Sequence, residues 1–89
     1  MYRALISRLI EECAKARDLG TGHDEIRARV LPEKIRELKR DFSFRDFLEW
    51  VREDREYSSY YFDVQQDGAC AKPDEVAALV LEEIVFDSI

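Results

Sequence analysis

Apolar residues at the start of the chain recur with the period of an amphipathic helix. Between residues 2 and 19 the charged residues occupy the opposite side of that pattern, so we expect a first helix over 2–19. Gly20 follows directly, at the position where a glycine commonly closes a helix. The apolar side of this helix consists of Tyr2, Leu5, Ile6, Leu9, Ile10 and Cys13.

The next two helices are predicted from a capping pair and a proline. Thr21 and Asp24 have the spacing of a capping box, which predicts a second helix over 23–30. Pro32 lacks an N–H group and disfavours helical geometry in the residue before it. We therefore expect the second helix to end before Pro32 and a third helix to occupy 32–41, with the proline in its first turn.

The strongest helix start in the sequence is at Ser43. Ser43 and Asp46 form another capping box, and Phe42 and Phe47 occupy the two positions of a hydrophobic staple. Further apolar residues follow at helical spacing, so a fourth helix over 43–56 should bring the largest aromatic cluster into the core. Those residues are Phe44, Leu48, Trp50 and Val51.

The residue pattern changes after position 56. Aromatic and β-branched residues alternate with others over 60–65, and the Asp-Gly pair at 67–68 is a strong turn signal. We interpret this as a small β-hairpin that pairs 60–65 with 69–72, because a lone strand would leave its backbone groups unpaired. A competing interpretation continues the fourth helix, because apolar residues here also recur at helical spacing. These are Trp50, Tyr57, Tyr61 and Val64.

The last helix is apolar on nearly all sides. It begins at Pro73, since proline suits the first helical position and the acidic Asp74 and Glu75 suit the positive end of the helix dipole. Ten of the fourteen residues from 76 to 89 are apolar. Such a helix must be covered on more than one side. It is therefore either the central element of the fold or an element that leaves one face for another chain.

Together these elements predict a mainly α fold with about five helices and one small β-hairpin, in a single small domain over residues 1–89. Two architectures fit this order of elements. One is a winged-helix-like arrangement, in which the hairpin is the wing, and the other is a small helical bundle.

The spacing of apolar residues over about half of the chain resembles that of LOTUS/OST-type winged helices. The residues that carry the resemblance are Leu31, Pro32, Phe44, Phe47, Leu48 and the stretch 60–64. It implies a nucleic-acid-binding regulator, and the basic segment 27–45, with seven basic and three acidic residues, would supply the phosphate contacts. The residues expected to make them are Arg36, Lys39, Arg40 and Arg45.

The net charge of −6 is concentrated at the other end of the chain. Residues 1–55 hold 13 basic and 12 acidic residues, whereas residues 56–89 hold eight acidic residues and only Lys72. The simpler interpretation is that the acidic third compensates the basic segment within one molecule. The other is that it presents an acidic face to a basic partner.

A single histidine and two distant cysteines, Cys13 and Cys70, are too few for a zinc site. We expect no metal, no cofactor and no catalytic residue. The two cysteines do not form a disulfide framework, which indicates a reducing compartment. The N-terminus lacks the apolar run of a signal peptide, and the longest apolar run, 76–81, is too short to cross a membrane. We therefore expect a cytoplasmic protein without membrane contact.

One remote enzymatic alternative rests on Arg17, Asp18 and His23. Their R-D-x4-H spacing resembles the arginine-to-histidine signature of the HEPN ribonucleases. That resemblance implies a small ribonuclease in which His23 moves the proton of a 2′-hydroxyl group and Arg17 steadies the phosphate.

These features together favour a small non-enzymatic protein-interaction module: a regulator, inhibitor or adaptor that binds another protein, such as a basic one, and forms a homodimer. Tyrosine suits interfaces because its ring is apolar and its hydroxyl is polar. The last helix would add an apolar face. The predicted partner-binding residues are Tyr57, Tyr60, Tyr61, Asp63, Leu79, Val80 and Phe86.

Overall fold

The computed structural model describes residues 2–38, 42–66 and 72–89, which form five helices and contain no strand. The mainly α fold class is therefore confirmed for this part of the chain. The helices are α1 (Tyr2–Asp18), α2 (23–38), α3 (Phe44–Glu53), α4 (Ser58–Gln66) and α5 (Pro73–Ser88).

Helix α5 is the central element of the fold. It packs against α1, α3 and α4, and less extensively against α2. Several of its residues are valines, which are only moderate helix formers, so its stability comes mainly from burial of its apolar side chains. Six side chains are buried in this way: Val76, Ala77, Val80, Leu81, Ile84 and Val85. Of the two roles predicted for the apolar last helix, that of the central core helix is the one observed.

Helix α1 ends in the turn that Gly20 predicted. Gly20 has a φ of +96°, a left-handed conformation that costs glycine little. Its N–H donates to the carbonyl of Arg17 at 2.9 Å, and the N–H of Thr21 donates to that of Ala16 at 3.0 Å. This pair of hydrogen bonds is a Schellman motif. The predicted cap at Thr21 is wrong, because the N-cap residue of α2 is Gly22.

Helix α2 continues through Pro32, so the predicted break before this residue is wrong. The segment Ile26–Val30 is π-helical, and the N–H of Leu31 reaches back five residues to the carbonyl of Ile26. Leu31 itself has helical geometry, with φ −64° and ψ −45°. A π-helical turn changes the hydrogen-bond register, so the missing N–H of Pro32 does not end the helix.

The predicted start of α3 is confirmed. The Ser43 hydroxyl oxygen accepts the N–H of Asp46 at 3.2 Å. The rings of Phe42 and Phe47 lie 5.5 Å apart between centroids, as a hydrophobic staple requires. Phe47 is fully buried. The ring of Tyr2 from α1 packs edge-on against it at 5.7 Å, so this start fixes how α1 and α3 meet.

The predicted β-hairpin is not formed by its first arm, because residues 60–65 belong to α4. The other arm, 69–72, lies outside the described residues except for Lys72, which is the N-cap of α5. The competing prediction of a longer fourth helix is also wrong, since α3 ends at Glu53 and its C-cap residue, Asp54, has extended geometry. Packing of the aromatic residues on helices overrides their β propensity. With residues 60–65 helical, the small helical bundle is the architecture observed.

Candidate acidic cleft between α4 and α5

An acidic cleft of about 430 Å³ lies between α4 and α5, and Arg27 of α2 reaches its edge. Its lining contains four carboxylates and one guanidinium, which gives the lining a formal charge of −3. Two aromatic rings complete the walls. The lining residues are Arg27, Tyr60, Asp63, Glu82, Glu83, Phe86 and Asp87.

Asp54 begins the element that carries one wall of the cleft. Its Oδ2 atom accepts the N–H groups of Glu56 at 3.0 Å and Tyr57 at 3.1 Å, which caps the turn before α4. Arg3 holds the same carboxylate at 2.8 Å. The turn thus sets where α4 begins. Tyr60 and Asp63, three positions apart on one face of α4, both line the cleft.

Helix α5 forms the opposite wall with two pairs of residues spaced four positions apart. Glu82 and Phe86 are one pair, and Glu83 and Asp87 are the other. Residues four apart lie on one face of a helix, so all four side chains line the cleft while their buried neighbours fill the core. Burial of the apolar side of α5 in the core therefore makes its acidic side face the cleft.

Tyr60 and Asp87 connect the two walls. The Tyr60 hydroxyl donates a hydrogen bond of 2.7 Å to Oδ2 of Asp87. This bond, with some burial of the ring, raises the pKa of Tyr60 to about 12. A phenol is protonated near neutral pH, so the Tyr60 hydroxyl acts as a donor that links the two walls.

Arg27 occupies the edge where the cleft meets α2. Its Nε atom lies 2.8 Å from Oε1 of Glu82, and its guanidinium carbon lies 4.6 Å from the centroid of the Phe86 ring. His23 packs against the same ring at 5.7 Å. A planar cation between a carboxylate and an aromatic face is the arrangement by which proteins bind arginine. The cleft thus already accommodates one guanidinium from its own chain.

The structure brings together three of the seven predicted partner-binding residues, namely Tyr60, Asp63 and Phe86. Leu79 is 41% exposed on α5, but it does not line this cleft. Val80 is fully buried in the core of the single chain, so it is not on a surface that a partner contacts. The other two tyrosines are half-buried: Tyr57 beneath the guanidinium of Arg3 at 5.5 Å, and Tyr61 against Phe62 at 5.3 Å.

Sequence reasoning missed Arg27, Glu82, Glu83 and Asp87 as parts of one site. The signal available in the last helix was the four-residue spacing of Glu82 with Phe86 and of Glu83 with Asp87. That spacing places them on one face but does not show what lies opposite. Only the packing of α4 and α2 against α5 brings Asp63 and Arg27 beside them.

The basic segment is partly neutralised within the chain. Arg27 pairs with Glu82, Arg29 with Glu25 at 2.9 Å, and Lys34 with Glu12 at 3.5 Å. Of the residues predicted to contact nucleic acid, Arg36 and Arg45 are exposed, while Lys39 and Arg40 lie outside the described residues.

The two residues of the HEPN-like spacing lie on different helices, on either side of the Gly20 turn. Arg17 pairs with Asp18 at 3.2 Å and donates to the carbonyl of Ile89. His23 packs on Phe86, so both side chains contact residues near the end of the chain.

Within 2–38, 42–66 and 72–89 no group of three histidine, cysteine or acidic residues is placed to hold a metal ion. In the same residues, no helix has the length and apolar character to span a membrane. No protein-family model, curated protein or solved structure matches the chain. Its function is therefore inferred from its own residues.

Proposed function

We propose that this protein is a small, non-enzymatic interaction module of the cytoplasm that binds a basic segment of another protein in the acidic cleft. The observation that carries the proposal is the convergence of Asp63, Glu82, Glu83 and Asp87 around the rings of Tyr60 and Phe86. Carboxylates beside aromatic faces attract lysine and arginine side chains by charge and by cation–π contact. A regulator, inhibitor or adaptor would use this cleft to recognise a basic partner.

The charge distribution supports the same partner class. The cleft carries −3 within a chain of net charge −6, so approach of a cationic segment is favoured at a distance as well as on contact. Association of this kind is fast at low ionic strength and is weakened by salt. The two walls are helices held by buried side chains, so the backbone positions that carry the carboxylates are set before a partner arrives.

The test is a two-dimensional NMR titration of the 15N-labelled protein with a tetra-arginine peptide. Amide shifts should concentrate at Tyr60, Asp63 and Asp87, and they should shrink as NaCl rises from about 50 to 500 mM. Asp63→Asn should weaken binding severalfold. The matched control is Glu11→Gln, which removes an exposed carboxylate of α1 that lines no part of the cleft.

Two results would count against the proposal. Shifts spread evenly over all acidic surfaces would show non-specific attraction by net charge. Equal losses of peptide affinity in Asp63→Asn and Glu11→Gln would show that the cleft has no special role.

The nucleic-acid-binding alternative is tested with a single-stranded oligonucleotide in place of the peptide. Amide shifts centred on Arg36 and Arg45 with the oligonucleotide, but absent with the peptide, would favour that alternative.

A further inference from the structure

A second cleft, of about 270 Å³, lies on the other side of the Arg27–Glu82 pair. Its lining is mainly apolar and comes from α2, the start of α3 and the outward side of α5. Arg36 and Asp74 complete its lining. The apolar lining residues are Leu31, Pro32, Ile35, Phe44 and Ala78.

The two clefts follow one another along the outward face of α5. Residues 74, 78 and 82 line the apolar cleft, and residues 82, 83, 86 and 87 line the acidic cleft. At 1.5 Å per residue their centres are about 10 Å apart along the helix axis. Arg27 and Glu82 line both clefts, so together they form one continuous surface with an apolar half and an acidic half.

We propose that this surface docks one amphipathic basic helix of a partner protein, with an apolar side chain in the apolar cleft and a lysine or arginine in the acidic cleft. The inference rests on the proposed function and adds the form of the partner. A helix lying along α5 spans about 10 Å in two turns, which places the two anchors seven residues apart. The acidic half of the surface has a formal charge of −3, so charge complementarity places the basic anchor in that half.

The surroundings of the clefts favour a helix over an extended segment. Every lining residue belongs to α2, α3, α4 or α5, whose backbone hydrogen bonds lie within the helices. A peptide that binds by β-strand addition would need an unpaired strand edge, which these helices do not offer, whereas a helix satisfies its own backbone groups and presents only side chains.

The experiment is a selection from a displayed library of helical peptides, about 14 residues or four turns long, with one face randomised. The wild-type protein should enrich peptides with a large apolar residue and a lysine or arginine seven positions apart. The best peptide is then remade with the apolar anchor changed to alanine, and separately with the basic anchor changed to glutamine. Each change should weaken binding about tenfold in fluorescence anisotropy.

In the protein, Ala78→Glu should weaken binding of the parent peptide about tenfold, because the longer side chain fills the apolar cleft. The same substitution should leave binding of the alanine-anchor peptide unchanged. Unchanged helical circular dichroism shows that the variant is folded, and the peptide series tests the same cleft without altering the protein.

The outcomes separate the two proposals. Binding that depends on the basic anchor but ignores the apolar one overturns the helix-docking inference and leaves the proposed function in place. Binding that ignores the basic anchor overturns both. A library without enrichment overturns the helix-docking inference alone, because the tetra-arginine titration tests the proposed function separately. A wild-type homodimer that Ala78→Glu dissociates would mean that a second copy covers the apolar cleft, which also overturns the inference.

Discussion

Phe47 links three sequence segments through one fully buried ring. The rings of Tyr2, Phe42 and Trp50 lie 5.7, 5.5 and 6.2 Å from it. Aromatic pairs at these distances add stability beyond the area that they bury. The sequence alone predicted the pair of Phe42 and Phe47, because the staple is a local motif. It did not predict Tyr2, whose contact depends on how α1 packs.

Phe47→Ala should destabilise the protein by about 3–5 kcal/mol, because it leaves a cavity among packed rings. Phe62→Ala is the matched control, since Phe62 is 50% exposed. The control should cost less than about 1 kcal/mol. Urea unfolding followed by circular dichroism measures both free energies, and similar losses for the two variants would contradict the assignment of Phe47 to the core.

Tyr60 should titrate later than an ordinary tyrosine because it donates to Asp87. Its pKa is about 12 in the folded protein, against 10.0 ordinarily, so its contribution to stability is complete below pH 10 and is lost as the pH rises toward 12. Asp87→Asn keeps an acceptor but removes the charge, and should lower the pKa of Tyr60. The ring carbon shifts of Tyr60 across this range measure the change, and an unaltered midpoint in Asp87→Asn would exclude the carboxylate as its cause.

At the scale of the helices, the features that sequence predicted are those fixed by neighbouring residues. The Ser43 cap and the Gly20 turn depend only on residues within one turn, and both formed as expected. The predicted break before Pro32 failed because a π-helical turn carries the helix through the proline. The predicted hairpin over 60–65 failed because packing of the aromatic residues on helices overrides their β propensity. The signal for the turn at Asp54 was present, since an aspartate commonly caps a helix, but helical spacing on both sides concealed it.

Gly20 and Gly22 offer a matched comparison of backbone conformation. A Cβ atom at either position would meet no other atom within 4 Å. Gly20 has φ +96° and Gly22 has φ −68°, however, so only the first requires the left-handed region. Gly20→Ala should cost about 1–2 kcal/mol. Gly22→Ala should be nearly neutral, because a loss of entropy in the unfolded chain offsets the poorer helix cap.

Thermal unfolding of both variants measures the difference between the two glycines. An equal loss at Gly20 and Gly22 would contradict the assignment of the Schellman turn. A gain in stability for Gly20→Ala would show that the turn at the end of α1 does not need a positive φ.

At the scale of the whole molecule, the candidate site was predicted only in part. Tyr60, Asp63 and Phe86 were chosen from the sequence for their chemistry, and the fold places them in one cleft. The seven-residue set also contained Val80, which the core covers. Sequence periodicity indicates on which face of a helix a residue lies, but it does not indicate which other helix packs against that face. The positions of α4 and α2 beside α5 were the missing information.

The last prediction concerns self-association, which the sequence suggested because α5 is apolar on nearly all sides. Within the described residues, its buried side chains are covered by α1, α3 and α4, and Leu79 is the large apolar residue that it exposes, at 41%. A stable dimer buries about 800 Å² on each partner, more than Leu79 alone provides. The homodimer predicted from the sequence therefore requires a contact that extends from Leu79 over neighbouring residues of the surface. Sedimentation equilibrium at micromolar concentration tests it: a wild-type dimer that Leu79→Asp converts to a monomer would support the homodimer, with α5 as both the core helix and the contact, whereas a monomeric wild type would contradict it.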